Sequence, residues 1–538
     1  MFLERIEIKG FRGIEDLTVS LGQTTALIGE NAWGKTSLLR ALWCLLGHEN
    51  VPYQFNKDDF FCPKCVEDKS ELSIILLFRE HRPGICEHSE RLRRLSSVWC
   101  KYPSDLFHRI RYVSKACMQN GVIETSHHFE NAQNLPLTSV DADLMIQILS
   151  FMNPVLRLRD SRSDEAEKIE LDVRTIQSRN DFSIPDLSLN EQHEVIRQFD
   201  IAKSILTRYL SNAPRRIKKT QKDFISQPMA LSGLLSWKTL LDGMNDDTRL
   251  QVLARFGHSL TQAYSGRVIE DEARPIYILE DPESRLHPTL LSNIWGMIQL
   301  LPGQKVLTTN SGDLLSSMPL EQIRRLVRSN GKTKCHHIQD NHLSSDDIRK
   351  ITFHVRINRP MTLFARSWLL VEGETELWLL SELAQLCGYH LHGEGVRIIE
   401  YAQSGYSPLI KLANDFGISW HLMADGDEAG VKYVQGARRL IHSEGEHHKG
   451  HLTLLPERDI EHFLFKNGFE DVFRQEAHLQ ENHHQPISKI IERAISHRSK
   501  PGMALAVLEA AFRKGPESVP VLLREMFHRV VGAARLQM

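Results

Sequence analysis

The sequence predicts an α/β protein in two parts, a larger N-terminal half and a smaller parallel-sheet half. Three observations predict it. Gly29-Glu30-Asn31-Ala32-Trp33-Gly34-Lys35-Thr36 is a glycine loop set between an apolar strand and a helix. A second strand–helix rhythm starts after Arg359-Pro360, where proline and the residue before it resist helix. Two apolar strands of that second rhythm end in acids, Glu372 with Glu376 and Asp425 with Asp427.

In chain order, residues 2–8 and 17–28 read as strands, with Phe11-Arg12-Gly13 in the turn between them. Leu38, Leu39, Leu42, Leu45 and Leu46 fall on one face, so 36–46 reads as a helix directly after the glycine loop. Residues 72–78 read as a buried strand, whereas 80–130 are mixed and give no assignment. Residues 140–270 are mostly helical in pattern, with basic stretches at Arg157-Leu158-Arg159 and Arg215-Arg216-Ile217-Lys218-Lys219 and no sustained heptads. Short buried strands follow at 276–279 and 305–309. The second cycle reads strand 367–371, helix 374–386, strand 396–400, helix 407–416, strand 420–424, and the tail from about 480 is helical. The expected domains are 1–355, with a helical insertion over about 140–270 offered as a dimerising element, and 360–538.

Bulk properties bound the function without choosing it. The 538 residues suffice for roughly three domains of about 150 each. Hydrophobic residues at 41% and charged residues at 25% describe an ordinary globular chain. A formal charge of −2 does not announce a nucleic-acid partner, but local basic patches survive such a balance. No apolar run approaches the roughly 18 residues of a membrane span. The start Met1-Phe2-Leu3-Glu4-Arg5-Ile6 alternates like a strand rather than a signal peptide, and with eight cysteines in a long chain the expectation is reduced thiols and a cytoplasmic setting.

A loop of this kind points backbone N–H groups at the phosphates of a nucleotide, and the helix N-terminus adds positive potential. Lys35 would reach the β- and γ-phosphates and the Thr36 hydroxyl would hold Mg²⁺. Ile276-Tyr277-Ile278-Leu279-Glu280-Asp281 supplies the partner strand: Glu280 is assigned to the metal and Asp281 to the attacking water. Solvated acids at a strand end are common taken alone; the coupling to a phosphate loop gives these two their meaning.

In the second part, Glu376 follows Glu372 by four residues, which lets both carboxylates face one side as a helix begins. Asp425 and Asp427 close the next strand but one. Parallel sheets build sites beyond the carboxyl ends of their strands, so both pairs should meet on one edge. Four hard oxygen ligands suit Mg²⁺ or Mn²⁺.

These residues also carry a resemblance. Gly29-Glu30-Asn31 with Gly34-Lys35-Thr36-Ser37, the opening Ile6-Glu7-Ile8-Lys9-Gly10-Phe11-Arg12, and Glu280-Asp281-Pro282-Glu283 with Leu286-His287-Pro288 are similar to ABC-type ATPases of the DNA-repair kind. That likeness implies a homodimer with ATP sandwiched between two heads. Three departures stand out. Trp33 replaces a small loop residue, Asn310 stands where the family has a switch histidine, and no serine-glycine signature precedes the acidic strand, since Leu231-Ser232-Gly233 lies far upstream. Asparagine can hydrogen-bond a γ-phosphate but cannot take its proton, so slow ATP turnover is expected.

Glu372-Gly373-Glu374-Thr375-Glu376 with Asp425-Gly426-Asp427 resembles a Toprim domain. An ABC-type ATPase followed by Toprim resembles the OLD (overcoming lysogenization defect) family of ATP-dependent endonucleases. The resemblance implies Glu461 as a later metal ligand and Lys500 as a lysine near the scissile phosphate. It also implies DNA as partner and two-metal phosphodiester hydrolysis, with one further ion accompanying ATP. Family relatives are tied to phage defence and repair by analogy. The runner-up is a DNA-binding repair ATPase with a non-catalytic Toprim half. A topoisomerase or primase would need a catalytic tyrosine domain or a zinc module, and neither is evident. Cys62-Pro63-Lys64-Cys65 with His81, Cys86 and His88 lacks the clean second pair of a zinc knuckle. Arg91, Arg93, Arg94, Arg215, Arg216, Lys218 and Lys219 are candidates to contact a DNA backbone, with a solvated basic face as the first reading of each cluster.

Overall fold

The structure is a computed structural model that describes the chain apart from residues 48–51, 62–68, 104, 160–186, 211–226, 266–272, 285, 330, 340–341, 442–449, 480–484 and 538. Two compact units emerge: Met1–Leu326 with Asn330–Cys335, and Val327–Ser329 with His336–Met538.

The first unit opens with strands β1 (Phe2–Phe11), β2 (Ile14–Ser20) and β3 (Thr24–Ile28), then helix α1 (Lys35–Leu46). The strand expected over 17–28 is therefore two strands. The chain turns at Leu21-Gly22-Gln23, where the Gly22 N–H donates to Thr25 Oγ1 at 3.0 Å, and β2 and β3 enter different sheets. Helix α1 buries all five leucines expected on its inner face.

Residues 80–130 resolve into a β-rich stretch. After β4 (Lys69–Arg79) come short helices α2 (Ile85–His88) and α3 (Glu90–Arg93), then β5 (Cys100–Lys101), β6 (His108–Gln119) and β7 (Val122–Glu130). The β6–β7 hairpin turns at Asn120-Gly121, whose φ values of 52° and 79° are those a tight two-residue hairpin turn requires. Strands β2-β1-β4-β6-β5, with β7 also on β6, form an antiparallel sheet.

Next come α4 (Ala142–Met152), β8 (Val155–Arg159), α5 (Leu189–Leu210), α6 (Gln227–Asp242), α7 (Asp246–Ser265), β9 (Ile276–Glu280), α8 (Pro288–Leu300), β10 (Gln304–Thr308), α9 (Gly312–Ser316), β11 (Ile323–Ser329) and β12 (Lys332–His336). The region expected to be helical thus includes a strand: β8 pairs in parallel with β9, in register from Val155↔Ile276 to Arg159↔Glu280. Val155, Leu156, Arg157 and Leu158 are all buried, and so short a run shows no period. The second sheet runs β12-β11-β3-β10-β9-β8, with parallel pairing from β11 through β8. The strand leading into the glycine loop and the acidic strand are therefore separated by β10 alone. Leu231-Ser232-Gly233 lies inside α6, and a Cβ on Gly233 would stand 2.6 Å from Ile201 Cγ2. That glycine serves helix packing against α5, not a signature loop.

The second unit contains α10 (Ser345–Ile351), β13 (Ser367–Val371), α11 (Glu374–Leu386), β14 (Val396–Glu400), α12 (Tyr406–Asp415), β15 (Ser419–Ala424), α13 (Glu428–Arg438), β16 (Leu452–Leu454), α14 (Ile460–Leu464), α15 (Glu470–Glu476), α16 (Ile487–Arg498), α17 (Lys500–Lys514) and α18 (Val521–Arg535). Its sheet is all parallel in the order β14-β13-β15-β16. The chain steps outward from β13 to β14 and then crosses back to β15. Such a reversal opens a crevice at the carboxyl ends of the two adjacent strands. Leu379, Leu380 and Leu383 of α11 share a buried core with Met503, Val507 and Ala510 of α17. Each large side chain buried there contributes roughly 1.5–3 kcal/mol. Among the described residues no helix is long and apolar enough to cross a membrane.

Candidate functional site

The glycine loop needs its glycines for space and for backbone conformation. Gly29 has φ 141° and Gly34 has φ 90°. A Cβ on Gly29 would stand 2.7 Å from the Leu326 carbonyl oxygen, and one on Gly34 would stand 2.8 Å from Ile14 Cγ1. Trp33 is buried and packs over Gly29, so the unusual residue faces the protein rather than the loop's concavity. Glu30 is half-buried, Asn31 and Thr36 are exposed, and the Ser37 hydroxyl accepts from the Gly13 N–H at 3.4 Å.

Lys35 is buried; its Nζ donates to the Gly29 carbonyl and to Asn310 Oδ1, the latter at 3.3 Å. Burial pushes its ammonium below the usual lysine range, against the pull of Asp281, Glu283 and Glu30. Asp281 adopts φ 40°, and its Oδ1 accepts from the Thr308 hydroxyl at 3.0 Å. Glu283 follows in the same acidic motif, and the sequence pattern assigns it no role. Its carboxylate accepts from the Thr309 hydroxyl at 3.0 Å and the Asn310 N–H at 2.6 Å, and burial raises its pKa. Glu280 is paired with Arg157 of β8, a residue sequence reading noted only as part of a basic stretch. Lys35, Asp281, Glu283 and Asn310 come together; Glu280 faces the guanidinium.

The acids of the second unit stand where the topology directs them. Register pairing runs from Ser367↔Ser419 to Leu370↔Leu422, so Glu372 and Asp425 leave the same end of neighbouring strands. Glu376 is the third residue of α11, and its Oε2 accepts from the Gly373 N–H at 3.0 Å as a capping interaction. Asp427 caps α13 through Oδ1, which accepts from the Gly430 N–H at 2.7 Å. Each keeps its other oxygen for further partners. Gly430 lets this turn close: a Cβ there would stand 1.9 Å from the Asp425 carbonyl oxygen.

The electrostatics show how near the acids lie. Burial, then Glu372, Glu376, Asp459 and Glu461, push the Asp425 carboxyl up to about 8. Burial, Asp427 and Glu376 raise Glu372, and burial and Glu461 raise Glu376. Lys500 begins α17 and reaches Glu461 at 3.2 Å. Burial opposes its charge, yet Glu461, Glu376 and Asp459 hold its pKa above the usual value. Asp459, unassigned from sequence, caps α14 and accepts from His462. Thus Glu372, Glu376, Asp425, Asp427, Glu461 and Lys500 share one crevice.

One lysine against this many carboxylates leaves an excess of buried negative charge, which suits divalent cations. Among the described residues no three of these acids bring ligand oxygens within 4.8 Å of one another; the trio that does is Glu80, Cys86 and His108. The Glu80 trio is a closed hydrogen-bond hub: the carboxylate accepts from the Gly84, Cys86 and His108 N–H groups, which hold its pKa down to about 2 despite burial. Of the zinc-knuckle candidates, Cys86 belongs to this trio. Cys62 and Cys65 lie outside the described residues, His81 stacks on Phe2, and His88 is exposed. Of the basic stretches, 215–219 lie outside the described residues, while Arg91 donates to the Met152 carbonyl and Arg94 lies over the Phe151 ring.

An ABC-type ATPase unit joined to a parallel-sheet Toprim unit defines the OLD class, and this chain is of that class. More narrowly, it belongs to the family described as Protein of unknown function (DUF2813), whose model matches residues 1–362, and the Overcoming lysogenization defect protein-like TOPRIM domain matches residues 363–427. The chain is 40% identical to "Uncharacterized protein YbjD" of Escherichia coli (strain K12), over 99% of each chain. It is 23% identical to "Endonuclease GajA" of Bacillus cereus (strain VD045), over 86% of this chain and 82% of that one. A segment of 45 residues, 8% of each chain, is 47% identical to "OLD nuclease" of Thermus scotoductus (strain ATCC 700910 / SA-01). Among solved structures, the C-terminal region of the Burkholderia pseudomallei OLD protein aligns at 17% identity and TM-score 0.27, over 32% of this chain and 99% of that one.

Proposed function

We propose that the chain is an ATP-binding, Mg²⁺- or Mn²⁺-dependent DNA endonuclease whose Toprim half cuts and whose ATPase half clamps or senses DNA. One observation carries the reading: Glu372 and Asp425 leave the same end of adjacent parallel strands, close enough that Glu372 helps push the Asp425 carboxyl up. The relatives whose names specify endonuclease or nuclease support it.

Two divalent ions in the crevice would supply an activated water and stabilise the leaving 3′ oxygen. Glu372 and Asp425 would hold them, joined by Glu461 and by the oxygens of Glu376 and Asp427 that do not cap helices. Lys500, paired with Glu461, stands ready to offset charge gathering on the scissile phosphate. In the other half, Gly29, Glu30, Asn31, Gly34, Lys35, Thr36 and Ser37 would cradle ATP. Thr36 and Glu280 would hold its ion, Asp281 would orient water, and Asn310 would meet the γ-phosphate. The assembly expected is a homodimer through the ATPase half.

The test is nicking of supercoiled plasmid in each divalent metal, with and without ATP. Glu372→Ala and Asp425→Ala are expected to abolish nicking while the far-UV circular dichroism is retained. Unaltered cleavage by both variants would refute the assignment.

A further inference from the structure

Tyr401 in the loop after β14, Tyr406 at the start of α12 and Tyr433 of α13 bring three rings into one cluster beside the acids. Tyr401 is its buried floor. Its N–H donates to the Val371 carbonyl at 2.8 Å and its hydroxyl to the Met423 carbonyl at 3.3 Å, so it bridges the two acid-tipped strands. Tyr433 meets it edge-on, with ring centroids 5.6 Å apart at 82°. Tyr406 meets both, at 6.3 Å from Tyr401 and 5.5 Å from Tyr433. Unlike Tyr401, these outer two rings are partly exposed.

Hydrogen bonds to β13 and β15 fix Tyr401, whereas Tyr406 and Tyr433 meet where α12 packs on α13 and stay partly open. A Cβ on Gly436 would lie 1.9 Å from the Tyr406 hydroxyl oxygen, so a helix-weakening glycine sits in α13 where that ring crosses it. Ser404, between Tyr401 and Tyr406 in the chain, is 3% exposed, and its Oγ has no hydrogen-bond partner among the described residues. Lys432 and Arg438 of α13, and Arg439 at its C-terminal cap, are exposed. Partly open aromatic rings on a helix that also carries exposed basic side chains match what unpaired nucleotides offer, a base face and a phosphate.

We propose that Tyr406 and Tyr433 form a stacking seat for an unpaired nucleobase, which positions a single-stranded stretch of DNA beside Glu372 and Asp425. The proposal rests on the nuclease reading and narrows its substrate class. Inside an intact duplex both faces of every base are covered by neighbours, so flaps, gaps and melted segments are favoured.

The test is fluorescence anisotropy on the full chain, with Ca²⁺ in place of Mg²⁺. The probes are a fluorescein-labelled single-stranded oligodeoxynucleotide and a hairpin duplex. Tyr433→Leu should weaken single-strand binding on the order of ten-fold and leave duplex binding unchanged. Tyr433→Phe should restore it, and Gly436→Ala, which displaces the Tyr406 ring, should weaken it independently. Single-strand binding by Tyr433→Leu and Gly436→Ala equal to that of the parent overturns the seat while plasmid nicking by the parent still stands. A parent chain that binds neither probe and nicks no plasmid overturns the nuclease reading together with the seat.

Discussion

Arg157 of β8 grips Glu280 of β9: one guanidinium nitrogen lies 3.0 and 3.1 Å from the two carboxylate oxygens, and both side chains are largely buried. The acid that the sequence assigns to an ATP-bound ion is thus neutralised by a neighbouring strand. Breaking a buried pair by removing one partner leaves an uncompensated charge and costs about 3–5 kcal/mol. Arg157→Met should lose stability of that order in urea unfolding, and Arg157→Met with Glu280→Gln should lose much less than the sum of the two single changes. Additive losses would show that the pair carries no coupling.

At the phosphate loop, Asn310 bonds Lys35 yet offers no site for a transferred proton. The expected consequence is slow ATP hydrolysis by the protein alone, measured by phosphate release, with nucleotide binding abolished in Lys35→Ala. Turnover of tens per second without DNA would contradict this expectation.

Gly430 tests the turn that sets Asp425. A methyl group there meets a backbone carbonyl at 1.9 Å, which cannot rotate away as a side chain can. Gly430→Ala should cost about 1–3 kcal/mol, the range for overpacking, and should lose plasmid nicking beyond what that destabilisation explains. Parent-level nicking would show that Asp425 tolerates displacement.

His421 gives a pH dependence. It is fully buried in β15, with Nδ1 2.8 Å from the Gly450 carbonyl and Nε2 2.8 Å from the Thr453 hydroxyl, which suits a neutral ring donating once and accepting once. Burial, with His451 and Arg529 nearby, pushes its pKa down to about 4. The unfolded chain, titrating near 6.5, binds the proton more readily across that window, so stability falls as pH drops from about 6.5 toward about 4. The contribution is about 3 kcal/mol. His421→Gln should flatten this part of the melting-temperature profile; an unchanged slope between these pH values would assign it to other groups.

Much of this protein is legible along its sequence because the signals are local. Strands 367–371 and 396–400 and helix 374–386 appear where their periodicity puts them, since apolar runs bounded by glycines and acids fix short elements without long-range help. The Asn120-Gly121 hairpin carried a local signal as well, and reading those two residues against their flanking alternation would have found β6 and β7. The break at Gly22 and the strand at 155–159 were harder, because their conformations depend on which sheet accepts them.

The site divides along the same line. Sequence alone determined which carboxylates terminate strands, that a lysine follows a glycine loop, and that the two patterns share one chain, because each signal is written in adjacent residues. Tertiary structure decided that Glu280 answers to Arg157, that Glu461 and Lys500 pair beside Glu376, and that Tyr401 underlies both acid-tipped strands. Those contacts join residues from 22 to 123 positions apart in the chain, and no local spacing encodes a distance that only sheet order and helix packing create.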